Sequence, residues 1–203
     1  MAKQDSQFSD PHFDYEHNIL KNLPGFTDQE LLDKFERIQA TKAILNLPLN
    51  PVMGQFDTAH LKAIHARIFQ NIYPWAGEFR RVNMHRSGSY PFAAVQFLET
   101  NLKATFAKLA AENHLRGLDA PAFSNRAAYY QGELNAIHPF RDANGRAQRE
   151  FVRELAAEAG YRINWSRVTR EQMYAASIES HHRGKNAALA ALIAKAIEPT
   201  RHP

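Results

Sequence analysis

The most informative part of the sequence is His138-Pro139-Phe140-Arg141-Asp142-Ala143-Asn144-Gly145-Arg146-Ala147-Gln148-Arg149. It joins two segments of helical hydrophobic periodicity, residues 121–137 and 145–159, and therefore predicts a helix–loop–helix unit. Proline restricts the residue that precedes it, which biases His138 away from the right-handed helical region. The imidazole of His138 is therefore expected at the end of the first helix, facing the loop.

The second half of this stretch has the composition of an anion site. Asn144 and Gly145 tolerate left-handed backbone, and such a loop leading into a helix presents several N–H groups to one point. Arg146 and Arg149 are three residues apart, so both guanidinium groups leave the same face near the helix start. The helix dipole disfavours cations there, and an anion such as a polyphosphate bound between them and the loop would account for both.

Two further side chains complete a set suited to phosphoryl or nucleotidyl transfer. Asp142 is a poor neighbour for a phosphate by itself, but one carboxylate and two phosphate groups commonly hold Mg²⁺ in nucleotide sites. His138 has a side chain that titrates near neutrality and is suited to act as a general base. The residues therefore predict a base, a metal carboxylate and a phosphate-binding loop in one place.

Outside this stretch, periodicity predicts an all-α domain with one small β-hairpin. Residues 1–26 are expected to form an arm laid over a domain of residues 27–198. A capping box at Thr27 and Glu30 predicts the first helix start. Further helices are predicted from Asp57 to Ile72 and over residues 97–109, 121–137, 145–159, 169–182 and 186–197. The pattern changes between Phe79 and Val95, where alternation around Gly88 predicts the hairpin.

Composition excludes several classes of protein. A chain of 203 residues with 44% hydrophobic residues is long enough for one ordinary globular domain. The net charge of +4 is weaker than a nucleic-acid binder requires, so no direct nucleic-acid partner is expected. With no cysteine, the chain has no disulfide, Cys-ligated zinc or Cys nucleophile. No membrane partner and a cytoplasmic location are expected, because no stretch approaches about 18–20 apolar residues and the first residues are polar.

The stretch His138–Arg149 resembles the signature of the Fic family, His-x-Phe-x-Asp/Glu-Gly-Asn-Gly-Arg-x-x-Arg, with Ala143 in place of a glycine. The segment Tyr73-Pro-Trp-Ala-Gly-Glu78, followed by Arg80 and Val82-Asn83, is similar to the segment that leads into the family's β-hairpin flap. The resemblance covers roughly residues 15–195. It implies a mainly helical Fic fold and transfer of AMP from ATP to a Ser, Thr or Tyr hydroxyl of a target protein, with release of pyrophosphate.

The resemblance also implies roles for individual residues. His138 resembles the base that deprotonates the target hydroxyl, and Phe140 resembles a buried anchor under the loop. Asp142 resembles the Mg²⁺ ligand beside the α- and β-phosphates, and Arg149 the partner of the γ-phosphate. The remaining phosphate ligands would be Asn144, Gly145 and Arg146. The flap that clamps a target segment by strand addition would comprise Met84, His85, Arg86, Ser87, Gly88, Ser89 and Tyr90.

Residues outside the signature are interpreted more plainly. Tyr174, Ser177 and Asn186 are candidates for an adenine pocket, although the signature does not fix these positions. His60 and His65 are interpreted as solvent-facing or satisfied core residues, His181 and His182 as surface histidines, and Arg80 and Arg81 as a solvated pair.

Regulation is predicted from a missing motif. Many Fic proteins are inhibited by a helix with the pattern Ser/Thr-x-x-x-Glu-Gly/Asn, but no Ser or Thr of this chain has Glu four residues later. The resemblance therefore implies a toxin restrained by a small separate antitoxin that supplies the inhibitory glutamate. A secreted effector acting on host GTPases and a catalytically silent Fic-fold binding module are the alternatives. The intact His138, Asp142 and Arg149 favour an enzyme.

Overall fold

The computed structural model describes residues 9–85 and 90–198, and these residues are predominantly helical. They contain the helices α1 (Gln29–Asn46), α2 (Thr58–Phe69), α3 (Leu98–Ala111), α4 (Ala120–Ile137), α5 (Asn144–Glu158), α6 (Arg170–Arg183) and α7 (Ala187–Ala196). Short 3-10 turns cover Val95–Phe97, Asn113–Leu115 and Trp165–Arg167. The predicted all-α class is confirmed. No helix of the described part is long and apolar enough to cross a membrane.

Helix α4 lies at the centre of the domain and packs against α3, α5, α6 and α7. Gly132 of α4 allows the side chains of Ser180 and Asn186 to approach the helix closely. A Cβ at this position would lie 2.5 Å from Oδ1 of Asn186 and 2.8 Å from Oγ of Ser180. The Ser180 hydroxyl donates to Oδ1 of Asn186 at 2.7 Å. The side chain of Asn186 is therefore committed to the packing behind α4.

Aspartate or threonine side chains cap the N-termini of four of the helices. Asp57 caps α2 and Asp119 caps α4, and Thr169 forms a capping box with Gln172 at the start of α6. The predicted start at Asp57 is confirmed. The capping box predicted at Thr27 is wrong by one residue, because the Asp28 carboxylate accepts the Leu31 N–H at 2.9 Å and takes the cap position.

The hairpin predicted between Phe79 and Val95 is present only as a minimal antiparallel pairing. His85 is bridged to Pro91, and the Phe92 N–H donates to the Met84 carbonyl at 3.1 Å. Proline has no N–H to extend the ladder. The predicted turn, Arg86 to Ser89, lies outside the described residues.

The N-terminal arm contains a two-stranded sheet that the sequence did not indicate. Strand β1 (Phe13–Asp14) pairs antiparallel with β2 (Ile19–Leu20). The arm is fastened to the helices by the Trp75 indole N–H, which donates to the Lys21 carbonyl at 3.1 Å. Its buried Asp10 also forms an ion pair with Arg141, so the arm contacts the loop that follows α4.

Candidate active site

The loop between α4 and α5 is shaped by two residues with left-handed backbone. His138 ends α4 at φ 50°, and its N–H donates to the Leu134 carbonyl at 2.9 Å. Ala143 precedes α5 at φ 63°. The first N–H groups of α5 then stand at a helix N-terminus, where no carbonyl of a preceding turn is available to them. The backbone therefore has the form that an anion site requires.

The side chain of Asn144 closes this loop. Its Oδ1 accepts the Phe140 N–H at 2.9 Å, and its Nδ2 donates to the Phe140 carbonyl at 2.8 Å. Because both ends of the amide are used in this way, the side chain acts as a structural clamp. What Asn144 can offer to a phosphate is its backbone N–H at the first position of α5.

A buried histidine supports the loop from below. The ring of His65 stacks on Phe140, with centroids 3.9 Å apart, and Phe140 is only 1% exposed. The Gly77 N–H donates to Nδ1 of His65 at 2.9 Å, so the proton is on Nε2, which donates to the Asp142 carbonyl at 3.2 Å. Burial lowers the pKa of His65 to about 3, so this ring stays neutral. The sequence interpretation left His65 as either a solvent-facing or a satisfied core residue; the structure shows a core residue, and no sequence signal pointed to its contact with the loop.

The imidazole of His138 has a defined orientation. Its Nδ1 lies 3.3 Å from the Asn135 carbonyl oxygen. A carbonyl can only accept, so Nδ1 carries a proton, and in the neutral imidazole the lone pair is then on Nε2. One face of the ring is covered by Phe92, with centroids 3.8 Å apart. The neutral form of this tautomer is the one that a general base needs.

A buried arginine ties the end of α4 to the flap segment, and the interpretation of Arg80 as solvated is wrong. Arg80 is 1% exposed, and desolvation lowers its pKa to about 10. Its guanidinium donates to backbone carbonyls at the end of α4 and on both sides of the flap. The acceptors are His138 at 2.8 Å, Val82 at 2.8 Å, Ile137 at 3.3 Å and Ala93. Of the two arginines, Arg81 is the exposed one, and its Nη2 lies 3.6 Å from Oε2 of Glu78.

The signature residues line one cleft of about 870 Å³ between α1, α5 and α6. The predicted site residues that it brings together are His138, Asp142, Asn144, Gly145, Arg146 and Arg149. Of the adenine-pocket candidates, Tyr174 and Ser177 line the same cleft, whereas Asn186 lies behind α4. Met84, His85 and Tyr90 are described at the two ends of the flap, outside the lining of this cleft.

The two arginines of the signature are in different electrostatic states. Arg146 donates to Oε1 of Glu36 at 2.7 Å, and its guanidinium lies over the ring of Phe69 at 4.7 Å. Within residues 9–85 and 90–198, no carboxylate lies within ion-pair distance of Arg149, whose pKa is lowered first by burial and then by Arg146. Arg149 is half-buried, and an unpaired cation that is partly removed from water is costly, so its guanidinium is a candidate partner for an anion.

Asp142 is the carboxylate at which a Mg²⁺ ion fits. The residue is exposed at the cleft, and its carboxylate accepts the Ala143 N–H. In the part of the chain that the structure describes, no group of three His, Cys, Asp or Glu side chains could hold a metal. Because Mg²⁺ is usually held by one or two carboxylates plus substrate phosphates, the residues fit an ion that binds with a polyphosphate.

Ala143 stands at a backbone position that favours glycine, so Ala143→Gly should stabilise the protein. At φ 63° an alanine costs about 1–2 kcal/mol more than in the right-handed region. In the glycine variant, the loss of one buried methyl group and the greater freedom of the unfolded chain offset part of the strain that is relieved. We expect the free energy of unfolding to rise by about 0.5–1 kcal/mol, measured by urea denaturation.

The matched control is Ala157→Gly, at an exposed position of α5 with helical backbone. There glycine should lower the free energy of unfolding by about 0.5–1 kcal/mol. A decrease in both variants would show that the left-handed conformation of Ala143 is not strained.

Comparison with known sequences identifies a family. Residues 55–156 match the sequence model of the Fic/DOC family. Over 185 residues the chain is 45% identical to protein adenylyltransferase VbhT of Bartonella schoenbuchensis, covering 91% of this chain but only 38% of VbhT. It is 35% identical to the probable protein adenylyltransferase y4lH of Sinorhizobium fredii, covering 89% of this chain and 92% of that protein.

A solved structure has the same fold. The BepC protein of Bartonella tribocorum, a VirB-translocated effector protein solved with bound AMPPNP, superposes with a TM-score of 0.87. The two chains are 28% identical, and the match covers 94% of this chain and 97% of the other. The predicted Fic fold is thereby confirmed. Together with the matched residues and the relatives, this shows that the chain belongs to the Fic/DOC family.

Proposed function

We propose that this protein transfers AMP from ATP to a hydroxyl side chain of a target protein and releases pyrophosphate. The proposal is carried by one observation: a cation without a carboxylate partner among the described residues, Arg149, lines the same cleft as an oriented candidate base, His138. Arg149 has no carboxylate partner in the described residues, and it shares a cleft with His138 and the start of α5. The names of VbhT, a protein adenylyltransferase, and of y4lH, a probable protein adenylyltransferase, support this function, as does the AMPPNP bound to BepC.

In the proposed reaction, Nε2 of His138 takes the proton of the target hydroxyl as its oxygen attacks the α-phosphorus. A new oxygen–phosphorus bond forms, the bond from the α-phosphorus to the bridging oxygen breaks, and pyrophosphate leaves with that electron pair. The N–H groups of Asn144 and Gly145 and the guanidinium of Arg149 stabilise charge on the phosphates. A Mg²⁺ ion held by Asp142 and the phosphates would neutralise part of that charge.

The proposal predicts that Arg149→Gln weakens binding of the triphosphate. If Arg149 pairs with the terminal phosphate, the affinity for a non-hydrolysable ATP analogue should fall about tenfold or more, equivalent to about 1.4 kcal/mol. AMP, which lacks that phosphate, should bind nearly unchanged. The free energy of unfolding should not fall, because the substitution removes an unpaired cation. Isothermal titration calorimetry and urea denaturation measure these effects.

Arg162→Gln is the control, because Arg162 is highly exposed and lies 3.5 Å from Glu198, on the surface. It should leave the affinity for both nucleotides unchanged. Equal weakening of AMP and ATP-analogue binding in Arg149→Gln would contradict the assignment of Arg149 to the terminal phosphate.

We further propose that the target chain docks along the flap as an added strand. Met84 and Phe92 are already joined by a backbone hydrogen bond, so the segment has strand-like geometry at its base. Main-chain pairing of this kind tolerates many target sequences.

We also propose that a separate antitoxin restrains the protein. The absence of the inhibitory pattern from the sequence supports this, as does an apolar stripe on α1. Leu31, Ile38 and Leu45 follow one another at intervals of seven residues on one side of the helix and are 53%, 57% and 72% exposed. Such a stripe fits a partner helix.

Co-expression tests the antitoxin. Growth should stop when the protein is produced alone and resume when it is produced with an antitoxin that carries the inhibitory glutamate. Replacing that glutamate by glycine should restore toxicity. Equal absence of toxicity with and without a partner would refute this role and leave the effector alternative, which the description of BepC as a translocated effector supports.

A further inference from the structure

Three aromatic rings from three different parts of the chain form a stack beside the cleft. The central ring is Phe92, on the segment that returns from the flap, and it is 7% exposed. One face lies on His138 at the end of α4, with centroids 3.8 Å apart and planes within 9°. His181 of α6 lies 4.8 Å from Phe92, at 37°. The proposed base is thus one outer member of the stack.

The backbone on both sides of Phe92 is fixed, so the ring has a defined position. The Phe92 N–H donates to the Met84 carbonyl at 3.1 Å, and the Ala93 N–H donates to the Ala136 carbonyl at 3.1 Å. These two bonds hold the segment between the outgoing side of the flap and the last turn of α4.

His181 also holds this segment. Its Nε2 lies 3.0 Å from the Tyr90 carbonyl, which can only accept, so Nε2 donates. Nδ1 of His181 is buried and has no hydrogen-bond partner among residues 9–85 and 90–198. His181 therefore supports the segment through its Nε2 hydrogen bond to Tyr90 and its ring contact with Phe92.

The two contacts of His138 are complementary. Stacking on Phe92 fixes the plane of the imidazole, and the bond from Nδ1 to the Asn135 carbonyl fixes which edge faces the cleft. Without the stacking contact to Phe92, the imidazole of His138 can rotate about its Cβ–Cγ bond. That rotation would exchange the positions of ring nitrogen and carbon atoms. A misplacement of about 1 Å can cost on the order of a hundredfold in rate.

We propose that Phe92, supported by His181, is a positioning residue that presents Nε2 of His138 to the cleft. This inference rests on the proposed function of His138 as the base. It assigns Phe92 a task beyond filling space, because an aliphatic side chain of similar size would bury the same surface without offering a flat face.

The kinetic test compares Phe92→Leu with Phe92→Tyr. With leucine, kcat for AMP transfer should fall on the order of 10- to 100-fold, while KM for ATP stays within about twofold of wild type. Tyrosine keeps the flat face and should retain kcat within about threefold. Phe97→Leu is the control, since Phe97 is an exposed ring five residues later and should leave both constants unchanged.

A spectroscopic test of the position of His138 does not depend on AMP transfer. Nitrogen-15 chemical shifts of the His138 ring, recorded at alkaline pH where the imidazole is neutral, should show one tautomer protonated on Nδ1 in the wild type. Phe92→Leu should give a mixture of the two tautomers. His181→Leu, which removes the contacts of His181 with Phe92 and with the Tyr90 carbonyl, should shift the populations in the same direction and provides a second variant if Phe92→Leu does not fold.

The outcomes separate this proposal from the proposed function. Unchanged tautomer populations in both variants, or equal losses of kcat in Phe92→Leu and Phe92→Tyr, would overturn the positioning role. If no variant and no wild-type protein transfers AMP but the tautomer populations change as expected, the proposed function fails while the positioning of His138 by Phe92 stands.

Discussion

Replacing His138 by alanine should abolish AMP transfer while leaving the affinity for an ATP analogue within a few-fold of wild type. The imidazole is oriented by Asn135 and Phe92, and in its neutral form Nε2 carries the lone pair. General-base assistance is typically worth about 10²–10⁴ in rate, and among the described residues no other imidazole lines the cleft. The proposed phosphate-binding parts, the start of α5 and Arg149, are not altered by the substitution.

The measurement pairs two assays on the same protein preparation. Label transfer from ATP to a target or to the protein itself gives the rate, and calorimetry with a non-hydrolysable analogue gives the affinity. His17→Ala is the control, because His17 lies on the exposed arm, paired with Asp14. Transfer by His138→Ala at the wild-type rate would refute the base. A parallel loss of analogue binding would instead make His138 a ligand of the nucleotide.

Replacing Arg80 by methionine should give the largest loss of stability among the variants considered. Arg80 donates to four backbone carbonyls, of Val82, Ala93, Ile137 and His138. Two of these belong to the end of α4, where carbonyls have no helical partner and carry the negative end of the helix dipole. Methionine is of similar length but leaves all four acceptors without this donor.

We expect the free energy of unfolding to fall by about 2–4 kcal/mol, after allowing for the relief of burying a cation. For a chain of this length that corresponds to a melting temperature lower by roughly 5–15 °C. AMP transfer should fall as well, because Arg80 fixes the carbonyl of His138 and both sides of the flap.

Arg81→Met is the matched control for Arg80→Met. The neighbouring Arg81 is exposed and only 3.6 Å from Glu78. Its replacement should change the free energy of unfolding by no more than about 0.5 kcal/mol. Equal effects of the two substitutions, measured by thermal and urea denaturation, would show that Arg80 is not the link between α4 and the flap.

The signature loop was predictable because its chemistry is local. Proline after His138 disfavours the right-handed helical region there, where the structure has φ 50°, and the spacing of Arg146 and Arg149 specifies one helix face. The left-handed backbone expected at Asn144 and Gly145 is wrong, because both residues belong to the first turn of α5. Ala143 could not be settled in advance, since its cost depends on a backbone angle that the structure alone gives, φ 63°.

The supporting contacts could not be predicted because they join residues far apart in sequence. Arg80 contacts a helix end more than fifty residues later, and His65 contacts the carbonyl of Asp142. Arg146 is paired with Glu36 of α1. No local pattern distinguishes a buried arginine that donates to carbonyls from a solvated one, so Arg80 and Arg81 look alike in the sequence.

In the proposed reaction, the α-phosphate is transferred together with its nucleoside. The most direct measurement incubates the wild-type protein and a cell extract with Mg²⁺ and either ATP labelled at the α-phosphorus or ATP labelled at the γ-phosphorus. Label from the α-phosphorus should become covalently attached to protein, and label from the γ-phosphorus should be released as pyrophosphate. Attachment of the γ-label, or of neither label, would contradict the account.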